Sequence, residues 1–421
     1  VGVCLILISV YNASNELEII YEIENTHRFA EALTSSEQAD EADLECMKSE
    51  LAGALRAGAW GFTTSRTVHH MTPDGEPVAS RLAEWSEVEA LIDLMGDLDA
   101  GVFQFVEDPP SDADRAARDQ QLAELAARSG VPFIIGATSG STRPLELIAA
   151  TRSLGGTMTG MTHPRGIGTM SSFKSQLPFD TLPEWAQARA DGQEVFFQRL
   201  RDPKTRLALI DVARNAQYSA TFGGEARPPV FERMQVLESP VPPHRTVAEV
   251  AAERGIDPVE AMVDLGLESN FEVFFVQTMS SFDEVAVVRS MKSPGTVMTF
   301  SDSGAHVSQM SDASIFTHLL AYWVRERGEF ALEEAVQMMT SAPAQAWGFT
   351  DRGVLREGLA ADINIFDPGT VAPALPTLAH DLPSGARRIV QKATGFLATI
   401  VAGEVTVRDG QSTGATPGRL L

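Results

Sequence analysis

The feature that most narrows the possible folds is an alternation of two patterns. "AWGFTTSR", "VFQFVED", "VPFIIGAT" and "TMTGMT" are short apolar runs with the length and composition of strands. Between them lie "EWSEVEALIDLMGDLDAG", "DADRAARDQQLAELAARSG" and "RPLELIAATRSLGG", which read as helices. Another helix precedes the first strand. In "SSEQADEADLECMKSELAGALRAG", Leu44, Met47, Leu51 and Leu55 recur at helical spacing, and Gly58 stands where a C-cap belongs. Strands that alternate with helices imply a parallel sheet joined by helical crossovers. The repeat continues less clearly through "AEVAAERGIDPVEAMVDLGLE" and closes on "TVMTFSDS", with a helix after it at roughly Ala313 to Arg325.

The texture changes twice. Residues 164 to 245 carry many Pro, Gly and Arg residues and read as a long excursion over a barrel mouth, of the kind that forms lids or shapes a substrate site. From Asp351 onward, "DRGVLREGLAADINIFDP" and "GFLATIVAGEVTVRDGQ" are short strands with Gly and Asp turns. "VAGEVTVRDG" reads as a hairpin turning at Gly403 and Glu404. The expected organisation is an atypical segment over 1–41, a (β/α) barrel over 42–350, and a small β-sandwich portion and tail over 351–421.

Composition bounds the function classes. With 421 residues, 44% hydrophobic and 21% charged, the chain is globular and long enough for one large α/β domain or two smaller ones. A net charge of -24 argues against binding the phosphate backbone of a nucleic acid, which needs a basic face. The two cysteines, Cys4 and Cys46, cannot build a disulfide framework, so a reducing, cytoplasmic setting is expected. The chain opens on "VGVCLILISV" without an initiator Met. That run lacks the basic region and cleavage pattern of a signal peptide and is too short to span a bilayer, so no membrane association is expected. It reads as a buried strand, and a sequence that begins inside a gene is the expectation.

The chemistry centres on "GTVMTFSDSGAHV". An apolar strand runs into Ser301, Asp302, Ser303 and Gly304, with His306 four residues beyond Asp302. In a parallel barrel the C-terminal ends of the strands build the active site. A carboxylate there can ligate a divalent metal and take a proton from its bound water. The competing role for Asp302 is to cap the next helix or brace the turn.

Three stretches, "GAWGFTTSR", "TFSDSGAHV" and "MTSAPAQAWGFTDRGVLREGLAADINIFDP", resemble the amidohydrolase superfamily and are closest to its N-acyl-D-amino-acid deacylase branch. The resemblance covers roughly residues 42 to 411. It implies a (β/α)8 TIM-like barrel, complete or incomplete, with a small C-terminal β unit. It also implies hydrolysis of an amide bond with zinc or another divalent metal, on a small N-acyl amino acid substrate. Asp302 matches the family's last-strand Asp, the proton acceptor for the attacking water and a candidate metal ligand. The departures are specific. No His-x-His occurs anywhere in the chain, and neither Cys4 nor Cys46 sits in the branch's Gly-Asn-Cys-Gly turn. Where a later strand would end in a metal-binding His, this chain reads Gly136, Ala137 and Thr138. The first two absences fit a missing N-terminal segment; the third points to altered or lost metal ligation.

Other candidates stand near strand ends. Ser65 and Arg66 follow the first strand, and a strand-end Arg can hold a substrate carboxylate with two parallel hydrogen bonds or pair with a structural acid. Arg165 and Lys174 are further candidates for that role. His69 and His306 are candidate substrate contacts, with His70 and His163 behind them, against the alternative of solvated loop histidines. Asp362 in "ADINIF" reads as a structural turn residue. Besides the deacylase reading stand another amide or cyclic-amide hydrolase of the same superfamily, and a non-catalytic or truncated relative that keeps only the fold.

Overall fold

The structure is a computed structural model and describes residues 39–68, 76–107, 111–138, 142–218, 227–279, 283–301, 308–310 and 312–419. The helix Glu41–Arg56 begins at a capping box, in which Asp40 accepts from the Asp43 amide at 2.9 Å and Asp43 accepts from the Asp40 amide at 3.1 Å. Its face carrying Leu51, Ala52 and Leu55 is buried, and the chain leaves through Gly58 at a φ of 105°.

Four strands follow in step: β1 (Gly61–Arg66), β2 (Val102–Glu107), β3 (Phe133–Gly136) and β4 (Met158–Met161). All pair in parallel, and β4 pairs in turn with β8 (Thr296–Val297). The register sets Phe62 beside Phe103, Phe103 beside Phe133, and Phe133 beside Met158, so one apolar row crosses four strands. The rings of Phe103 and Phe133 meet edge-on at 4.9 Å. The helices Trp85–Asp97, Asp112–Ser129 and Arg143–Ser153 make the crossovers. Their buried Leu91, Ile92, Met95, Leu122, Leu125 and Ile148 join that aromatic row in a single core. The spatial order β1-β2-β3-β4-β8 follows chain order without a reversal. That is barrel-type winding, whereas a doubly wound sheet reverses at a switch point. Gly61 is required by the first pairing, because a Cβ there would stand 2.0 Å from the Val102 carbonyl oxygen.

The segment between β4 and β8 builds a second layer. β5 (Gly168–Ser172) and β6 (Met234–Val236) flank β7 (Phe274–Thr278), and both pairings are antiparallel. Helices Pro183–Arg189, Gln193–Arg201 and Pro203–Asn215 lie between β5 and β6. Their core holds Trp185, whose indole N–H donates to the Leu209 carbonyl at 2.9 Å, together with Phe196, Phe271 and Phe275. Helices Val247–Arg254 and Pro258–Glu268, read above as continuing the barrel repeat, belong here. Val250, Ala251, Met262 and Val263 bury against this aromatic cluster and not against the parallel strands.

After β8 the expected helix takes three windings. A 3₁₀ turn over Asp312–Ser314 leads into α-helix Ile315–His318 and then a π-helix over Leu319–Glu326. Within the last, the Arg327 amide donates to the Tyr322 carbonyl at 2.8 Å, the i to i+5 spacing of a π winding. The C-terminal part forms an antiparallel sheet from β9 (Ile363–Phe366), β14 (Phe396–Val401), β15 (Glu404–Arg408) and β16 (Gln411–Ser412). Two short ladders accompany it. One joins β10 (Ala372–Pro373) to β13 (Ala393–Thr394), the other β11 (Thr377–Ala379) to β12 (Arg388–Val390). The hairpin turns at Ala402 and Gly403, both at positive φ, so the sequence-based placement is one residue late: Glu404 already pairs with Val401. Two consecutive left-handed residues match the twist of the flanking strands. Among the described residues no helix is long and apolar enough to cross a membrane.

Candidate active site

The C-terminal ends of the parallel strands lie on one edge of the sheet. Past β4, the Thr162 amide donates to the Val297 carbonyl at 2.7 Å, and the Phe300 amide returns to the Thr162 carbonyl at 3.0 Å. The chain leaving β8 is therefore tied to the chain leaving β4 as far as Phe300. Asp302, His306, His69 and His70 lie outside the described residues.

Arg66 ends β1. Its Nη1 donates to the carbonyls of Ala83 at 2.7 Å and Ser80 at 3.2 Å, which anchors the guanidinium to the short helix Ala79–Leu82. The Ser65 carbonyl accepts from the Ser80 hydroxyl at 2.6 Å, while the Ser65 hydroxyl oxygen is buried without a partner among the described residues. Glu87 is buried nearby. Burial pushes its carboxyl above the ordinary carboxylate range, with the Arg66 charge acting in the opposite direction. Lys174 pairs with Glu272 at the surface of the second layer, away from the parallel strands. Asp362 accepts from the Ala402 amide at 2.9 Å and pairs with Arg352 at 2.9 Å, the turn-bracing role read from its position.

Past β4 the structure gathers residues that no spacing connects. His163 is buried, and its Nδ1 lies 2.5 Å from the Arg165 carbonyl oxygen. The Pro164 carbonyl accepts from the Trp323 indole at 2.5 Å. Arg165 donates through Nη2 to the Ser314 hydroxyl at 3.1 Å. Arg165, Ser314, His244 and His318 line a cavity of about 40 Å³, closed by the second layer on one side and by Leu375, Pro376 and Gln391 of the C-terminal part on another. His318 Nε2 and His244 Nδ1 are buried and make no hydrogen bond among the described residues. Burial holds the His318 imidazole well below its usual pKa, and the neighbouring Arg165, His163 and His244 push the same way. His244 is lowered to about 4, by burial first and then by Arg165, with Glu238 opposing. Sequence reasoning placed neither His244 nor His318 in a site. His244 sits in "PVPPHRT" and His318 among core residues, and only the tertiary fold brings them to Arg165.

These imidazoles make stability depend on pH. The folded protein keeps them neutral, whereas the unfolded chain takes up protons near the ordinary value of 6.5. Their contribution is complete above that pH and is lost as pH falls toward about 4. The urea midpoint should therefore drop between pH 6.5 and 4, and His318→Gln should flatten that drop. A wild-type midpoint constant over this range would contradict the burial of neutral histidines.

The implied metal can be tested against the side chains. Among the described residues, no three His, Cys, Asp or Glu groups are gathered so as to hold a metal ion. β3 ends in Gly136, and Phe300 Cε2 lies 3.6 Å from the place a Cβ would occupy there. An aromatic ring thus packs over the strand end where the resemblance implies a ligand.

A sequentially wound parallel sheet with strand-end polar residues and an appended β part is the amidohydrolase type of barrel fold. The amidohydrolase family model matches residues 25–407, and the chain belongs to that family. It is 32% identical over 182 residues to an N-acyl-D-aspartate deacylase of Alcaligenes xylosoxydans xylosoxydans, covering 42% of this chain and 32% of the relative. It is 31% identical over 179 residues to a D-aminoacylase from the same organism, covering 42% of this chain and 34% of the relative. The matched region thus spans about a third of each curated relative's length. Among solved structures, a D-aminoacylase superposes with a TM-score of 0.54 at 19% identity, over 92% of this chain and 68% of that one. An N-acyl-D-glutamate deacylase from Bordetella bronchiseptica, solved with zinc and a phosphonate inhibitor, gives 0.50 at 21% identity, over 91% and 69%.

Proposed function

We propose that the chain belongs to a hydrolase that cleaves the amide bond of an N-acyl amino acid. The observation that carries this reading is the family match combined with sequential parallel winding, since "SDSGAH" then follows directly on the last strand of the sheet. Asp302 is the base. It takes a proton from water as the water oxygen bonds to the acyl carbon, and passes that proton to the amine nitrogen as the C–N bond breaks. Arg66, with Nη1 fixed on two carbonyls, grips the substrate carboxylate. Ser65, His69 and His306 complete the substrate contacts. Turnover of N-acetyl-D-aspartate, N-acetyl-D-glutamate and neutral N-acetyl-D-amino acids tests the reading. No release of amine from any of them, in a folded preparation supplied with zinc, rejects it.

A bound divalent metal would polarise the acyl carbonyl and sharpen the attacking water. A tight zinc site generally takes about three or four protein ligands, and this chain lacks the His-x-His pair and the Gly-Asn-Cys-Gly turn. Dialysed protein should therefore hold well under one zinc per chain. Elemental analysis that finds one tightly held zinc would overturn this expectation. Gly136 under the Phe300 ring favours a second reading, a relative that keeps the fold without metal ligation. Zinc-independent turnover argues for the enzyme, and absence of both turnover and zinc uptake for the second reading.

A further inference from the structure

A smaller cavity lies in the second layer, between β5 and the chain beyond β8. Thr169 and Ser171 of β5, with Gln176 and Gln309, supply its polar groups, and Leu177 and Met234 its apolar wall. Gln309 is 4% exposed and held at two points. Its carbonyl accepts from the Met170 amide at 2.6 Å, and its Nε2 donates to Gln176 Oε1 at 3.1 Å. Its Oε1 is buried and has no partner among the described residues. Exchanging the two ends of both carboxamides keeps their mutual bond and only turns the unpartnered oxygen into an unpartnered nitrogen, so one polar atom of Gln309 is left over in either orientation. Buried polar atoms are normally hydrogen-bonded, and one that is not marks room for a guest.

The lining defines the kind of guest. No described lining residue is a carboxylate, a lysine or a histidine, and Arg227, the charged residue at the wall, has a partner of its own. A cation would therefore find no counter-charge, and an anion would face the lone pairs of Gln309 Oε1. Carboxamides and hydroxyls both donate and accept, so the matching guest is neutral and does the same. Leu177 and Met234 are each 1% exposed and offer it a dry face. At about 30 Å³ the space takes about two water-sized probes, which suits a carboxamide group with a small apolar substituent.

We infer that Gln309, Gln176, Thr169 and Ser171 form a binding site for a small neutral amide, whose N–H donates to Gln309 Oε1. Two sources share this chemistry: the side-chain carboxamide of an N-acyl-glutamine, or a small free amide. The first rests on the deacylase reading and the second does not.

The test follows the side-chain amide signals of glutamine labelled with ¹⁵N in the full chain, with Gln309→Leu and Gln176→Leu used for assignment. Acetamide should shift both signals saturably, and sodium acetate should not. Acetone, which keeps the carbonyl but has no N–H, should bind about 3- to 10-fold more weakly, the worth of one neutral hydrogen bond. Gln309→Leu should weaken acetamide by a similar factor, read on the Gln176 signal. Thr169→Val, close to isosteric, should weaken it by the same factor or less and guards against a misfolded Gln309 variant. Displacement of acetamide more readily by N-acetyl-D-glutamine than by N-acetyl-D-glutamate assigns the site to a substrate side chain; equal displacement, or none, assigns it to a free amide. Shifts that never saturate, acetone binding as well as acetamide, or unchanged affinity in folded Gln309→Leu and Thr169→Val overturn the site and leave ordered water as its occupant. Saturable acetamide shifts without hydrolysis of any N-acyl amino acid retire the deacylase reading and leave the site standing, whereas hydrolysis without shifts does the reverse.

Discussion

Asp302→Asn should lower hydrolysis of an N-acyl-D-amino acid by about 10²–10⁴-fold, the usual worth of a positioned general base, while leaving the fold intact. Asparagine keeps the shape and can still hydrogen-bond, but it cannot accept the proton of water. Folding should tolerate the change because the parallel core is carried by residues such as Phe62, Phe103, Phe133 and Met158, all remote in sequence from position 302. Steady-state turnover beside circular dichroism reads both halves of the expectation. Equal turnover in the variant and the parent would remove Asp302 from the chemistry and leave it the role of bracing the turn after the last strand.

Trp323→Ala should be the most damaging of the core substitutions near the site, by about 3–5 kcal/mol. The indole is 1% exposed and packs with Tyr322, Leu319 and Phe330, so truncation opens a large void. It also strands the Pro164 carbonyl, which now accepts from Trp323. Trp323→Phe separates the two effects, since it keeps most of the ring and loses only the N–H, a loss of about 1–3 kcal/mol if the carbonyl stays unsatisfied. Urea unfolding measures both. A midpoint for Trp323→Ala within about 1 kcal/mol of the parent would show that the indole is not holding the loop after β4.

The parts of the fold that the sequence discloses are those with a local period. Leu51 and Leu55 of the first helix fall on its buried face, and the strands containing Phe62, Phe103 and Phe133 stand where apolar runs of strand length predict them. The second layer is hidden for the opposite reason. β5 reads "GTMSS", with no apolar run, and its partner β7 lies about a hundred residues away, so its pairing is a tertiary event with no local signal. The same holds at the site. From "TVMTFSDS" the sequence proposes Asp302, because an apolar run meets a carboxylate, and that residue lies outside the described ones. His163, His244 and His318 are spread over more than a third of the chain, and only the crossing of three elements makes them neighbours.

The π winding after Ile315–His318 sets a rotational phase. His318 lines the cavity and Trp323, five residues later, reaches the Pro164 carbonyl next to Arg165, so both must face the same side. In an α-helix, residues five apart stand about 140° away from each other around the axis, and one of the two would point elsewhere. A winding with i to i+5 bonds turns less per residue and brings the two back toward the same side. The extra residue in this turn thus works as a shim. A chain one residue shorter between Leu319 and Tyr322 would keep every side chain of the cavity and lose their convergence, so here the length of a helix, more than its composition, decides whether a site exists.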